Sequence, residues 1–182
     1  MKYITMILLA WMMVNQAGQD IYTCKTAKVN LYSSAPIEDI EATANTGVSV
    51  YNAGTGELEF SVPIRDFHFP KALMEEHFNE NYLESDKYPK AIFKGLITDI
   101  SKVNFTKDGS YPVTVNGDLS IHGVTNKVSV PGTITIKSGI AASVSSFNIK
   151  LSDYKISVPK LVKDNIAETI NITVNCNYTQ KI

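Results

Sequence analysis

The 182-residue sequence is 44% hydrophobic and 19% charged, has a formal net charge of −1, and contains a single arginine, Arg65. That composition excludes a disordered or collagen-like chain, and a nearly neutral protein with one arginine lacks the basic stripe a nucleic-acid binder needs. The length fits one domain, and no internal run reaches the roughly 18 to 20 apolar residues that span a bilayer.

The first 19 residues form a separate segment. Lys2 supplies a positive start, residues 4–14 are apolar apart from Thr5, and Asn15-Gln16-Ala17-Gly18-Gln19 is small and polar. This pattern predicts a secretory signal peptide over 1–19, cut near Gln19, too short and wrongly flanked for a membrane anchor. Residues 20–182 are then one exported domain, periplasmic or secreted. Losing Lys2 leaves 16 Lys+Arg against 18 Asp+Glu, a mature net charge of about −2. Cys24 follows Ile21-Tyr22-Thr23, not the tripeptide that directs lipidation.

Beyond that segment the dominant period is two. Val, Ile and Thr make up 45 of the 163 remaining residues, the composition of a pleated, half-buried surface. The first strands are expected over 21–34, 37–52 and 57–69. The third shows clean alternation in Leu58-Glu59-Phe60-Ser61-Val62 and follows turn residues Asn52-Ala53-Gly54-Thr55-Gly56. Pro70 then opens a short helix, in which Leu73, Met74, His77, Phe78 and Tyr82 recur at helical spacing until Pro89 stops it. Further strands are expected over 91–104, 111–121, 127–137, 140–152 and 168–179, with a second short helical turn over 161–167. The fold class is therefore all-β: eight antiparallel strands forming a sandwich or barrel, with one or two short helices capping it.

Chemistry-bearing residues are sparse. His68, His77 and His122 lack the i, i+3 or i+4 partners of a metal site. His77 with Glu76 or Glu80 reads as a solvated helix face, and His122, in Ile121-His122-Gly123, as a structural residue bonding backbone at a strand corner. Asp118 alternates onto an outer face. No serine occupies a nucleophile elbow and no glycine-rich phosphate cradle follows a strand. The residues thus point to no catalytic group, metal or cofactor.

Two cysteines, Cys24 and Cys176, lie near the ends of the exported domain. An oxidising compartment favours a disulfide between them. The alternation opposes it: Cys176 shares parity with the inward set Ile170, Ile172 and Val174, whereas Cys24 shares parity with Lys28, Asn30 and Tyr32, which look outward unless a bulge intervenes near residues 25–28. Both readings stay open at this level.

Aromatic residues are the other source of function. Phe60, Phe67, Phe69, Phe78, Tyr82, Tyr88 and Phe93 cluster between the third and fourth strands. They are either plain core beneath the helix or the lining of a cavity, since an eight-stranded barrel is just wide enough to hold a small ligand.

At these residues the chain resembles a known family. Glu76-His77-Phe78-Asn79-Glu80-Asn81-Tyr82-Leu83-Glu84, followed by Lys87-Tyr88-Pro89-Lys90-Ala91-Ile92-Phe93-Lys94-Gly95, looks like the central signature of the YceI-like family. The stretch Tyr111-Pro112-Val113-Thr114-Val115-Asn116-Gly117-Asp118-Leu119-Ser120-Ile121-His122-Gly123-Val124-Thr125 looks like its second. The resemblance runs over about 22–178. It implies an exported, lipocalin-like, eight-stranded antiparallel barrel holding a polyisoprenoid or other amphiphilic lipid in its lumen. The chain departs from the family where relatives carry an Asp-x-x-His-Ser stretch, reading Thr23-Cys24-Lys25-Thr26-Ala27-Lys28. It departs again at Leu151-Ser152-Asp153-Tyr154-Lys155, where relatives carry an Arg-x-Asp-Phe-Gly-like element.

The expected function is an exported binding protein for an isoprenoid or other long-chain lipid, without catalysis. The expected lining is Phe60, Phe67, Phe69, Phe78, Phe93, Val113, Val115, Leu119 and Ile121. Two other readings are an envelope interaction protein with a filled barrel, and a hydrolase using His122 or His77. Oligomeric state is open, a dimer included.

Overall fold

The computed structural model describes residues 20–159 and 165–178. Within them the chain forms eight strands: β1 (Ile21–Ser33), β2 (Ile40–Asn52), β3 (Glu57–Pro63), β4 (Lys90–Ile97), β5 (Gly109–Ile121), β6 (Val124–Lys137), β7 (Ile140–Lys150) and β8 (Thr169–Asn177). Each pairs antiparallel with its neighbour in sequence, and β1 pairs with β8, so the sheet closes into a barrel in simple up-and-down order. The expected all-β barrel is therefore the fold. Closure removes the unpaired edges that an open sheet of this size would expose.

Local chemistry sets the turns. β5 passes to β6 through His122-Gly123 and β6 to β7 through Ser138-Gly139, all four at positive φ, as type I′ hairpin turns require. Gly123 also has no room for a side chain: a Cβ there would stand 2.5 Å from the Tyr88 ring. β3 stops at Pro63 and not at 69, because Ile64–Asp66 coil into a 3₁₀ turn. β4 stops at Ile97 and not at 104, giving way to a 3₁₀ turn at Ile100–Lys102.

Among the described residues one α-helix forms, α1 (Ala72–His77), which begins two residues after Pro70 and widens into a π-type turn over Phe78–Tyr82. Glu75 reaches back to accept the Phe69 backbone N–H at 3.1 Å, which fixes the chain's entry into the helix. The second helical turn expected over 161–167 falls largely outside the described residues, as does the signal peptide over 1–19.

The alternation in β1 changes phase midway. Between Cys24 and Ala27 three steps on β1 face two on β2, and between Ala27 and Val29 two steps face three. Each strand thus carries an extra residue, a β-bulge that re-aims the side chains beyond it. Cys24, Ala27 and Val29 consequently all point inward and are buried. Opposite them Gly47 permits close approach, since a Cβ there would meet the Phe60 ring at 2.9 Å and Ala27 at 3.0 Å.

Two apolar clusters fill the ends of the barrel. One, around Ile64, Phe67, Leu83, Leu119 and Ile121, lies at the end where α1 and the longer connections cross. The other, around Tyr22, Tyr51, Ile97, Ile136 and Tyr178, lies at the opposite end, beside the shorter turns.

Candidate functional site

Between the two clusters the barrel is hollow. The cavity measures about 540 Å³ and its wall is almost wholly apolar side chains from all eight strands and the helical segment. Its size falls in the range of roughly 300–1,000 Å³ typical of small-molecule sites.

Alternation builds the wall. On β5 every second residue faces in, which places Val113, Val115, Leu119 and Ile121 on the lumen. Phe60 of β3 stands directly opposite Phe93 of β4 in the ladder, and both rings reach the cavity. The Phe93 ring lies over Gly95, whose missing Cβ leaves it the room.

The helical segment crosses the upper end, which stays partly open. Phe78 packs against Phe67 at 5.6 Å and against Phe69 at 5.0 Å between ring centroids, so three rings from the β3–β4 connection form one lid. All nine residues expected to line a site therefore come together around one cavity. Of the remaining aromatics of that stretch, Tyr82 reaches the cavity, whereas Tyr88 packs edge-on against His122 at 4.8 Å.

The lower end is a plug the sequence reading did not anticipate. Tyr22 stacks on Tyr51 at 5.0 Å and on Phe105 at 5.2 Å, and Tyr178 meets Tyr51 edge-on at 4.8 Å. The Tyr178 hydroxyl sits between Ser49 Oγ at 3.0 Å and Ser143 Oγ at 3.3 Å. Tyr51 lies beside it, and its buried hydroxyl has no hydrogen-bond partner among the described residues. Burial pushes both tyrosine hydroxyls well above the ordinary tyrosine range. Burial, and then the neighbouring Cys24, push the Cys176 thiol up to about 11. Burial thus favours the neutral forms of these groups.

Apart from Lys71 and His77, which reach the cavity from the helical segment, the charged and histidine groups lie elsewhere. His122 holds Tyr154 O at 3.1 Å through Nδ1 and Glu84 Oε2 at 2.7 Å through Nε2. The backbone bond matches the structural reading of this residue; the carboxylate partner, 38 positions away, had no local signal. Asp118 faces outward and pairs with Lys127 at 3.2 Å, as its alternation predicts. His77 is exposed on the helix beside the cavity rim, and His68 bonds Thr43 through its backbone. Among the described residues no three His, Cys, Asp or Glu side chains stand together as a metal site requires. None of the helices there is long and apolar enough to cross a membrane.

A closed up-and-down barrel with an apolar lumen, a helical lid and an aromatic plug has the architecture of a small barrel that encloses a hydrophobic guest. The family model for the YceI-like domain matches residues 14–178, and the chain belongs to that family. Solved structures share its fold. A polyisoprenoid binding domain from Saccharophagus degradans, implicated in plant cell wall breakdown, is 13% identical with a TM-score of 0.75, covering 88% of this chain and 98% of its own. Burkholderia cenocepacia BcnA is 17% identical with a TM-score of 0.70, covering 84% and 96%. The Campylobacter jejuni YceI protein is more distant in shape, with a TM-score of 0.50 at 15% identity, covering 75% and 81%. No curated protein matches the chain.

Proposed function

We propose that this protein is an exported carrier that holds a polyisoprenoid or similar long-chain amphiphile in the barrel lumen and performs no covalent chemistry on it. The observation that carries this reading is the apolar cavity of about 540 Å³ enclosed by a closed sheet. A filled, inert barrel working only through its surface would have no such space. The polyisoprenoid-binding description of one structural neighbour agrees with the shape and polarity of the lumen. Export rests on the charged, apolar and small-residue pattern of residues 1–19.

The energetics need no special polar group. Each buried methylene contributes about 0.8 kcal/mol, so ten of them give about 8 kcal/mol, enough for micromolar affinity before ordering costs. Geometry supplies the selectivity: a long, flexible, branched chain fits a lumen walled by Phe, Val, Leu and Ile, whereas a polar solute would lose its hydration there without compensation.

Extraction of freshly purified protein with organic solvent, followed by mass spectrometry, tests the proposal. One lipid with a long apolar chain per protein is expected. Recovery of no lipid, together with no binding of added long-chain prenols, would end it.

A further inference from the structure

The barrel closes where β1 meets β8. Among the described residues the paired positions run from Tyr32 opposite Asn171 to Lys28 opposite Asn175, short of the plugged end. The bulge in β1 falls in this gap and turns Cys24 inward, so the parity that set Cys24 apart from Cys176 is reversed. Cys24 now stands opposite Ser49 on β2, and Cys176 opposite Ser143 on β7. Those two serines bond the same Tyr178 hydroxyl, so the cysteines flank one point of the seam. Both are free thiols in the structure, 1% and 3% exposed, in one apolar cluster.

We propose that Cys24 and Cys176 are oxidised to a disulfide that staples the first strand of the barrel to the last at the plugged end of the seam. The oxidant is a disulfide, either a small-molecule one or that of a thiol–disulfide oxidoreductase. Two cysteine S–H bonds and the oxidant's S–S bond break; one S–S bond forms in the protein. Two electrons and two protons leave with the oxidant, which departs as two thiols. The exchange takes place before β8 docks, because in the closed barrel both thiols are buried and the raised Cys176 pKa keeps its thiolate scarce. The bond encloses nearly the whole domain, the arrangement in which a cross-link restricts the unfolded chain most.

The test refolds reduced, denatured protein in a buffer of reduced and oxidised glutathione, blocks remaining thiols with a maleimide in denaturant, and weighs the intact chain. The expected product carries no maleimide and weighs two hydrogens less than the dithiol. Cys24→Ser and Cys176→Ser each leave a single thiol that takes one maleimide or one glutathione. Reduction is expected to lower the melting temperature of the wild type by roughly 5–15 °C and to leave the doubly substituted protein unmoved. Two maleimides on wild-type protein with native circular dichroism would overturn the proposal. So would two glutathione adducts, or a bond whose reduction leaves the melting temperature unchanged.

Discussion

His122 and Glu84 meet at 2.7 Å, joining the tight β5–β6 turn to the end of the helical lid. The other ring nitrogen of His122 holds the Tyr154 carbonyl, so one imidazole ties together three segments at the lidded end of the barrel. Both partners are acceptors, and the ring is largely buried beneath Tyr88.

His122→Ala is expected to destabilise the protein by about 1–3 kcal/mol, the cost of leaving the carbonyl of buried Tyr154 unmet. The shift in urea midpoint measures it. Because His122 lies outside the lumen wall, retained lipid per folded molecule is expected to stay unchanged. Loss of lipid without loss of stability would mean that the residue contacts the guest.

The lumen wall offers a direct volume test. Val115 faces the cavity and is only partly buried, so Val115→Trp places a large ring in space a guest would occupy. Overpacking a dense core costs about 1–3 kcal/mol, but a hollow one absorbs the added volume. The variant is expected to fold with near wild-type stability and to bind lipid at least about tenfold more weakly, equivalent to about 1.4 kcal/mol. Solvent extraction and a fluorescent lipid titration read the two effects separately.

Two neighbouring tyrosines in the plug should respond in opposite ways. Tyr178 serves both Ser49 and Ser143, so Tyr178→Phe strands polar atoms and is expected to cost about 1–2 kcal/mol. The buried Tyr51 hydroxyl has no partner among the described residues, so Tyr51→Phe removes a desolvated group at no loss of contact there. It is expected to be neutral or to stabilise by up to about 1 kcal/mol. Chemical denaturation of the two variants under one condition settles the comparison.

The same hydroxyls make stability fall in alkali. Burial raises the folded-state pKa of Tyr51 and Tyr178 above the ordinary value of 10.0. Above those values the unfolded chain releases protons that the folded chain retains, so unfolding gains. The stabilisation is complete below about pH 8 and is lost as pH rises through about 9 to 11 and toward the folded-state values. A urea midpoint that is flat to pH 8 and then declines is expected, with a shallower decline in Tyr51→Phe.

Strand alternation was legible wherever it ran unbroken. Val113 to Ile121 keeps one parity for its full length, so its inward face could be read directly, and the ring cluster around Phe67 and Phe78 is local in sequence. The phase change in β1 was legible only as one of two alternatives, a bulge near residues 25–28, because the extra residue at Lys25-Thr26 is fixed by pairing with β2 and leaves no mark of composition. The ends of β3 and β4 were overrun for a related reason: apolar residues continue past Pro63 and Ile97, but they fill 3₁₀ turns that pack inward. The plug was missed altogether. Its members come from β1, β2, the β4–β5 connection and the end of β8, and the contact between Ser49 and Tyr178 spans 129 positions.

The up-and-down order has a practical corollary. β1 begins and β8 ends beside the tyrosine plug, so the polypeptide enters and leaves the barrel at its sealed base. A tether or fusion partner attached beyond β1 or β8 would hold the molecule by its foot, leaving Phe78 and the helical lid at the far end.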